Sequence, residues 1–498
     1  MTSLGTLART IRALHPLQIA ARVPHATIAR VLRDVPSRAA PELLRSWPAA
    51  PAELVAHTER ERERATRRIA RLSRGTRLRA YEETYGAELG ALGAPAFEQW
   101  HTRTAVEPFP ASMRARHIAV AVRCGRRGLD VELARAARAV ALQLEVHLLG
   151  NHLLENAIAL ACAGAAARGF EANVWWKLGS AILRWQLPAQ FLADGGHFER
   201  TASYHLALTA ALVECVELAR ASGRGAPRLW TDVTERALGW ARAVRAPDGT
   251  YPLFNDASLD AAPAIDELVA LGAACDLSPC ASMSLVPTGW ILARHGDAML
   301  AIDAGPDGAP HQPGHAHADG LTFELWTARA RAVADFGVAS YAWDAARAET
   351  RATRSHNTVE LDGLDSCEVW GAFRVGRRGR GTVRALEARD DATYVEVEHD
   401  GYAWRPGVPH VVRAFEFARG RLAIEDRIHG GASNGRASEF ASRLRLTEHG
   451  RGALRIGGNR TVTAREDSLY PSIGDRRPAL VLEQRALARM PIHWCVEW

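Results

Sequence analysis

Long apolar runs are scarce at the start of this 498-residue chain, where arginine, histidine and proline interrupt every such run between Leu7 and Val31. Neither the apolar core of a signal peptide nor a spanning helix is found there, so the sequence as given is expected to be cytoplasmic, with periplasmic or extracellular export by an unseen route as the other reading. Cysteine is sparse and shows no pairing pattern. The seven residues (Cys124, Cys162, Cys215, Cys275, Cys280, Cys367 and Cys495) are odd in number and scattered, several in helical surroundings such as Ala-Leu-Ala-Cys162-Ala-Gly. They read as buried free thiols. Cys275 and Cys280 are too far apart for a redox pair, and no zinc-finger spacing appears. An excess of one charge is also lacking. With 62 basic against 56 acidic residues the net charge is +6, a mild preference for anionic partners from which nucleic acid does not follow.

What is present is ordinary globular material, 47% hydrophobic and 24% charged, in a chain long enough for two or three domains. Residues 1–60 hold short helical patterns broken by Pro16, Pro24, Pro36, Pro41, Pro48 and Pro51 and read as an N-terminal arm. From Glu53 to Leu89 a charged helical periodicity reads as a solvated helix face. Apolar residues then recur at helical spacing in the blocks Val131–Leu149, Leu153–Ala167, Val174–Trp185, Tyr204–Ala221, Leu229–Val244 and Ala261–Ala274, punctuated by glycine. After about residue 285 the period becomes two, as in Leu321-Thr-Phe-Glu-Leu-Trp326 and Tyr394-Val-Glu-Val-Glu, which marks antiparallel strands. The expected architecture is a domain of helical hairpins over 61–283, followed by an antiparallel β-sandwich over 284–498.

The stretch Gly314-His-Ala-His-Ala-Asp319 stands out. In an extended segment alternate side chains share a face, so His315, His317 and Asp319 would project together. Asp335 lies in Ala-Val-Ala-Asp-Phe-Gly and His356 in Arg-Ser-His-Asn-Thr-Val. Two imidazoles and a carboxylate suit a divalent metal such as zinc, and the set is read as His317, Asp335 and His356, leaving His315 for chemistry. The bland alternative is that these histidines only hydrogen-bond one another.

Two further clusters, Asn151-His152-Leu-Leu-Glu155-Asn156 and Asp194-Gly-Gly-His-Phe-Glu-Arg-Thr-Ala-Ser-Tyr204-His205, precede the histidine stretch. With Arg354-Ser-His-Asn-Thr-Val and Trp370-Gly-Ala-Phe-Arg-Val-Gly, this ordered set on a helix-then-sheet layout resembles the heparinase II/III-like polysaccharide lyases, with relatives among alginate lyases. The resemblance implies an (α/α) toroid packed on an antiparallel β-sandwich and β-elimination on a uronic-acid-containing polysaccharide. It assigns Asn151 and His152 to the uronate carboxylate, Tyr204 and His315 to acid–base work, and His317, Asp335 and His356 to a metal. Leu208 stands where some members carry an arginine, one turn after the tyrosine.

The chemistry asks for such groups. Removing the C5 proton of a uronate needs its growing enolate charge stabilised, which an amide and an imidazole can do. A tyrosine of ordinary pKa used as base at neutral pH costs about 4 kcal/mol, whereas histidine costs almost nothing. Tyr204 is therefore assigned as donor to the leaving oxygen and His315 as base for at least one C5 epimer, with tyrosine in both roles for the other. Glu155, Trp370 and Arg374 are candidate substrate contacts, although Asn151 equally suits a helix cap and the tryptophans Trp175, Trp176 and Trp185 suit a core. Two rival readings are a glycoside hydrolase using Asp194, Glu199 or Asp256, and a non-catalytic exopolysaccharide-binding protein.

Overall fold

A computed structural model describes residues 3–34, 53–54, 108–123, 129–281, 284–389, 391–430 and 438–498; beyond Glu53–Leu54, the charged stretch up to Leu89 lies outside them, as does Cys124. The arm is a pair of helices, Leu4–Arg12 and Pro16–Asp34. Ser3 caps the first by accepting from the Thr6 amide, and Pro16 opens the second, where a missing N–H costs nothing. Pro24, expected to break the pattern, lies inside the second helix, which forgoes one backbone hydrogen bond there.

The described helices after the arm are Pro108–Arg123, Asp130–Leu142, Gly150–Ala166, Phe170–Gln190, Ala202–Ala221, Arg228–Ala243 and Ile265–Ala274. The block expected to run to Leu149 stops at Leu142; the turn that follows carries Glu145 and His147. Gly150–Ala166 is buried along its length except at His152, as its apolar composition on every side requires. It lies close against Phe170–Gln190. A methyl group on Gly179 would stand 2.6 Å from the Ala161 nitrogen, so glycine and alanine at this crossing set the spacing. Ala202–Ala221 is long and apolar enough to cross a membrane, but 78% of its apolar window is buried inside the protein, as for a core helix. The described cysteines are free, with Cys162, Cys215, Cys275 and Cys367 buried and Cys280 exposed. Trp175 is core, and Trp176 packs on Trp230 with ring centroids 5.4 Å apart.

The last helix ends at Ala274 and the first strand of the sandwich starts at Trp290. The larger sheet has eight strands, in spatial order Thr463–Ser472, Asp475–Leu487, Glu439–Leu446, Ala330–Val333, Phe323–Thr327, Ala298–Asp303 and Trp290–His295, with Val359–Leu361 paired beside Glu439–Leu446. The six-stranded sheet runs Gly381–Arg389, Ala392–His399, His410–Ala418, Arg421–His429, Ile492–Glu497 and Arg455–Gly458. Strand Ala298–Asp303 is buried on both faces. Met299 and Ala301 join the core of the helical domain, while Leu300 and Ile302 face the second sheet with Phe323, Val395 and Phe415. The two-residue period thus seats one strand in two cores at once, and the larger sheet becomes the floor on which the helices rest.

Candidate active site

On the helical side the site begins with a backbone kink. Leu149 and Gly150 have φ of 55° and 56°, and a Cβ on Gly150 would lie 2.5 Å from Glu199 Oε1. The carboxylate of Glu199 can therefore reach the helix start, accepting from the Asn151 amide at 2.8 Å and from Asn151 Nδ2 at 2.6 Å. Asn151 is buried, and its Oδ1 has no hydrogen-bond partner. His152 is held by Glu145, whose Oε1 is 2.9 Å from Nδ1. Burial opposes a charge on His152, but Glu145 outweighs it and raises the imidazole's pKa. Tyr204, in the first turn of Ala202–Ala221, is half-buried, and its hydroxyl donates to that of Tyr341 at 3.0 Å.

From the sandwich side, 314–319 is irregular rather than a strand, yet its alternation holds. Ala316 and Ala318 turn to a small apolar cluster with Cys367 and Val375, while His315 and His317 both turn to Asp256. Asp256 is fully buried. It lies 2.9 Å from His315 Nδ1 and 2.8 Å from His317 Nε2, and it accepts both arms of the buried Arg347 guanidinium at 2.5 and 2.8 Å. Burial pushes its carboxyl up, but Arg347 and the two imidazoles hold its pKa well below the ordinary range. An ionised Asp256 accepts only, so His315 carries a proton on Nδ1, and Nε2, 3.6 Å from Glu199 Oε2, is the lone pair of the neutral ring. That nitrogen is 3.5 Å from Asn151 Nδ2, and the ring of His315 lies 4.3 Å from that of Tyr204, centroid to centroid.

The same logic applies to the metal set. His317 gives Nε2–H to Asp256, and its Nδ1 is buried without a partner; His356 gives Nδ1–H to Asp335 at 2.5 Å, and its Nε2 is buried without a partner. Each imidazole thus turns one unpartnered nitrogen inward with a carboxylate behind the other, the arrangement by which proteins orient metal-binding histidines; at His356 burial is outweighed by Asp335, which raises the imidazole's pKa. Burial lowers the pKa of His317 to about 3, which keeps it neutral. The cluster whose ligand atoms lie within 4.8 Å of one another is His317, Asp319 and His356. Asp335, read from the sequence as a ligand, is not in that cluster: one of its oxygens lies 2.5 Å from His356 Nδ1 and the other accepts from Thr322 at 2.8 Å. Burial raises the Asp319 carboxyl well above the ordinary carboxylate range, over the opposing pull of His356. Two orphaned imidazole nitrogens beside a buried carboxylate fit a divalent cation.

A cavity of about 610 Å³ opens over His152, Tyr204, Tyr341 and His315, with Trp370 and Arg374 on its wall. Glu155 does not line this cavity: it pairs with Arg116 at 2.8 Å and lines a smaller one together with Asn151, Tyr204 and Leu208, while the carboxylate bonded to His152 is that of Glu145. Trp370 gives its indole N–H to Thr10 of the arm at 3.1 Å. The carboxylates suggested for a hydrolase are all engaged in internal bonds: Asp194 accepts from the Thr288 hydroxyl at 2.6 Å, Glu199 holds Asn151, and Asp256 holds two histidines and Arg347. Arg347, Tyr341 and Glu145 carried no signal in the sequence; Glu199 and Asp256 entered there only as carboxylates for a hydrolase.

Comparison with known proteins follows the same two halves. Residues 134–270 match the heparinase II/III N-terminus and residues 280–480 the heparinase II/III-like C-terminal family model. A heparin-sulfate lyase of Bacteroides stercoris is 30% identical over 260 residues, which are 45% of this chain and 38% of that protein. One from Pedobacter heparinus is 25% identical over 241 residues, 43% of this chain and 36% of that protein. The matched stretches thus span well under half the length of these relatives. Among solved structures, a heparan sulfate lyase from Pedobacter heparinus has a TM-score of 0.57 at 18% identity, covering 84% of this chain and 71% of that one. A heparinase III structure has a TM-score of 0.60 at 16% identity, covering 92% and 88%, so the toroid-and-sandwich layout is shared. Both halves match in order, on the expected fold, and the chain belongs to the heparinase II/III-like family.

Proposed function

We propose that this protein is a polysaccharide lyase that cleaves a uronate-containing polysaccharide by β-elimination, with a glycosaminoglycan of the heparan sulfate kind as its substrate class. The observation that supports the reading is that His152 and Tyr204 from the helices and His315 from the sandwich line one cavity, with Asn151 Nδ2 3.5 Å from His315 Nε2. Asn151 and His152 hydrogen-bond the uronate carboxylate and stabilise the charge that grows there as C5 loses its proton. His315 Nε2, a lone pair fixed by Asp256, takes that proton; the C4–O4 bond breaks, a C4=C5 double bond forms, and Tyr204 protonates the departing O4. Tyr341, bonded to the Tyr204 hydroxyl, orients it. The relatives' naming as heparin-sulfate lyases supports the substrate class.

A divalent cation, zinc by ligand type, is proposed at His317, Asp319 and His356, with Asp256 and Asp335 as the carboxylates behind the imidazoles. When bound, it supplies positive charge that fixes the loop carrying His315. The carboxylates offered for a hydrolase, Asp194, Glu199 and Asp256, are each taken up by internal bonds. The test is a screen against heparan sulfate, hyaluronan, alginate and glucuronan, read by the ultraviolet absorbance of an unsaturated uronate. Wild type is expected to generate it and Tyr204→Phe to lose on the order of 10²–10⁴-fold in turnover while folding normally. Reducing ends without that absorbance would instead indicate hydrolysis, and neither product would indicate a binding protein.

A further inference from the structure

The cavity over the catalytic groups has three walls, and one of them is the N-terminal arm. Leu7, Thr10, Ile11, Gln18 and Arg22 all line it. The arm is fastened to both domains. Arg9 pairs with Glu368 through two bonds of 2.8 and 2.5 Å, Thr6 donates to the same carboxylate at 2.7 Å, and Thr10 donates to the Val375 carbonyl at 3.1 Å while accepting from Trp370. On the helical side Gln18 donates to the Leu148 carbonyl at 2.8 Å, next to the turn that precedes Asn151. A segment bonded at one end to the sandwich and at the other to the helices fixes the width of the cleft between them.

The charge of this cavity is one-sided. Its lining includes the guanidiniums of Arg22 and Arg374 and the imidazole of His152, whose pKa is raised, and, among the described residues, no aspartate or glutamate. Glu368 is taken by Arg9 and Thr6, and Glu145 by His152 and Asn156. Arg22 and Arg374 are both exposed, and neither side chain has a hydrogen bond or ion pair among the described residues. The two are close enough that the charge of Arg22, after partial burial, lowers the pKa of Arg374. Two uncompensated guanidiniums facing one cavity repel each other, and an anion bridging them removes that cost and gains charge-assisted bonds.

We propose that the arm is a wall of the substrate cleft and that Arg22, with Arg374, forms an anion subsite for a carboxylate or sulfate ester on a sugar flanking the cleaved bond. This rests on the lyase reading for its choice of ligand. Arg22 adds a residue from outside both domains to substrate recognition.

The test compares wild type, R22Q, R374Q and R12Q. Arg12 is an exposed arm arginine that does not line the cavity and serves as the control. Losing one charge-assisted contact of about 1.5–3 kcal/mol raises KM by roughly 10- to 100-fold. That rise is expected in R22Q and R374Q with kcat within about twofold and a flatter dependence on salt, while R12Q matches wild type. If the anion is a sulfate, the loss appears on heparan sulfate and vanishes on its desulfated form; if a carboxylate, it appears on both. Binding of a heparin oligosaccharide followed by tryptophan fluorescence reads the subsite apart from chemistry. A wild type that binds the oligosaccharide but forms no unsaturated product overturns the lyase reading and leaves the subsite to be judged by the affinity of R22Q. Equal KM and equal oligosaccharide affinity in R22Q and wild type overturn the subsite.

Discussion

Asp256→Asn is the most informative single change, because one carboxylate serves two histidines and an arginine. Its oxygens lie 2.9 Å from His315, 2.8 Å from His317 and 2.5 and 2.8 Å from Arg347, and every one of these groups is buried. The amide keeps the shape but loses the charge, leaving Arg347 with an uncompensated positive charge in the interior. Breaking one partner of such a pair costs about 3–5 kcal/mol, a large part of a typical stability of about 5–15 kcal/mol. A lowered melting temperature with a cooperative transition is therefore expected by circular dichroism. The chemical effect is separate. An amide Nδ2 facing His315 Nδ1 favours the tautomer whose proton sits on Nε2, the nitrogen assigned to take the C5 proton. Turnover should fall on the order of 10³–10⁴-fold, the scale seen when a carboxylate that sets a histidine tautomer becomes an amide. The assay is ultraviolet absorbance at saturating substrate, below the variant's melting transition. A folded Asp256→Asn protein with kcat within a few-fold of wild type would refute the claim that this carboxylate sets the proton on His315.

Two more outcomes follow from the geometry. For the metal, Asp319→Ala should abolish stoichiometric zinc measured by mass spectrometry, whereas Asp335→Asn, acting through His356, should weaken it about 10- to 100-fold; equal loss in both would return Asp335 to the ligand set. For the arm, hydrogen bonds from Arg9 and then Thr6, against burial, hold the Glu368 carboxyl down at about 2. Its ordinary value is near 4.5, so its share of arm docking is complete above that pH and is lost as pH falls from there toward 2. Tryptophan fluorescence at Trp370 should report arm release in that window, and Glu368→Gln should show the released signal already at neutral pH; an acid titration identical in the two proteins would argue against the latch.

The legible part of this protein was what short-range pattern encodes. Period 3.6 giving way to period 2 near residue 285 separates helices from sheets, because each element must turn one face to a core. The alternation of His315 and His317 with Ala316 and Ala318 likewise holds through an irregular segment, since in extended backbone successive side chains still point to opposite sides. Pro24 shows the limit of local rules: a helix bound by tertiary contacts tolerates the loss of one backbone bond. What only the fold decided is which groups answer one another across long separations. Asp256 meets Arg347, Glu145 meets His152, Asp319 clusters with His317 and His356 while Asp335 bonds His356, and Arg22 arrives at the cleft from the arm. A carboxylate in the sequence is a candidate for any of these roles. Its role is fixed only when burial removes water and leaves a specific cation, imidazole or amide as the remaining partner, and that selection exists in three dimensions alone.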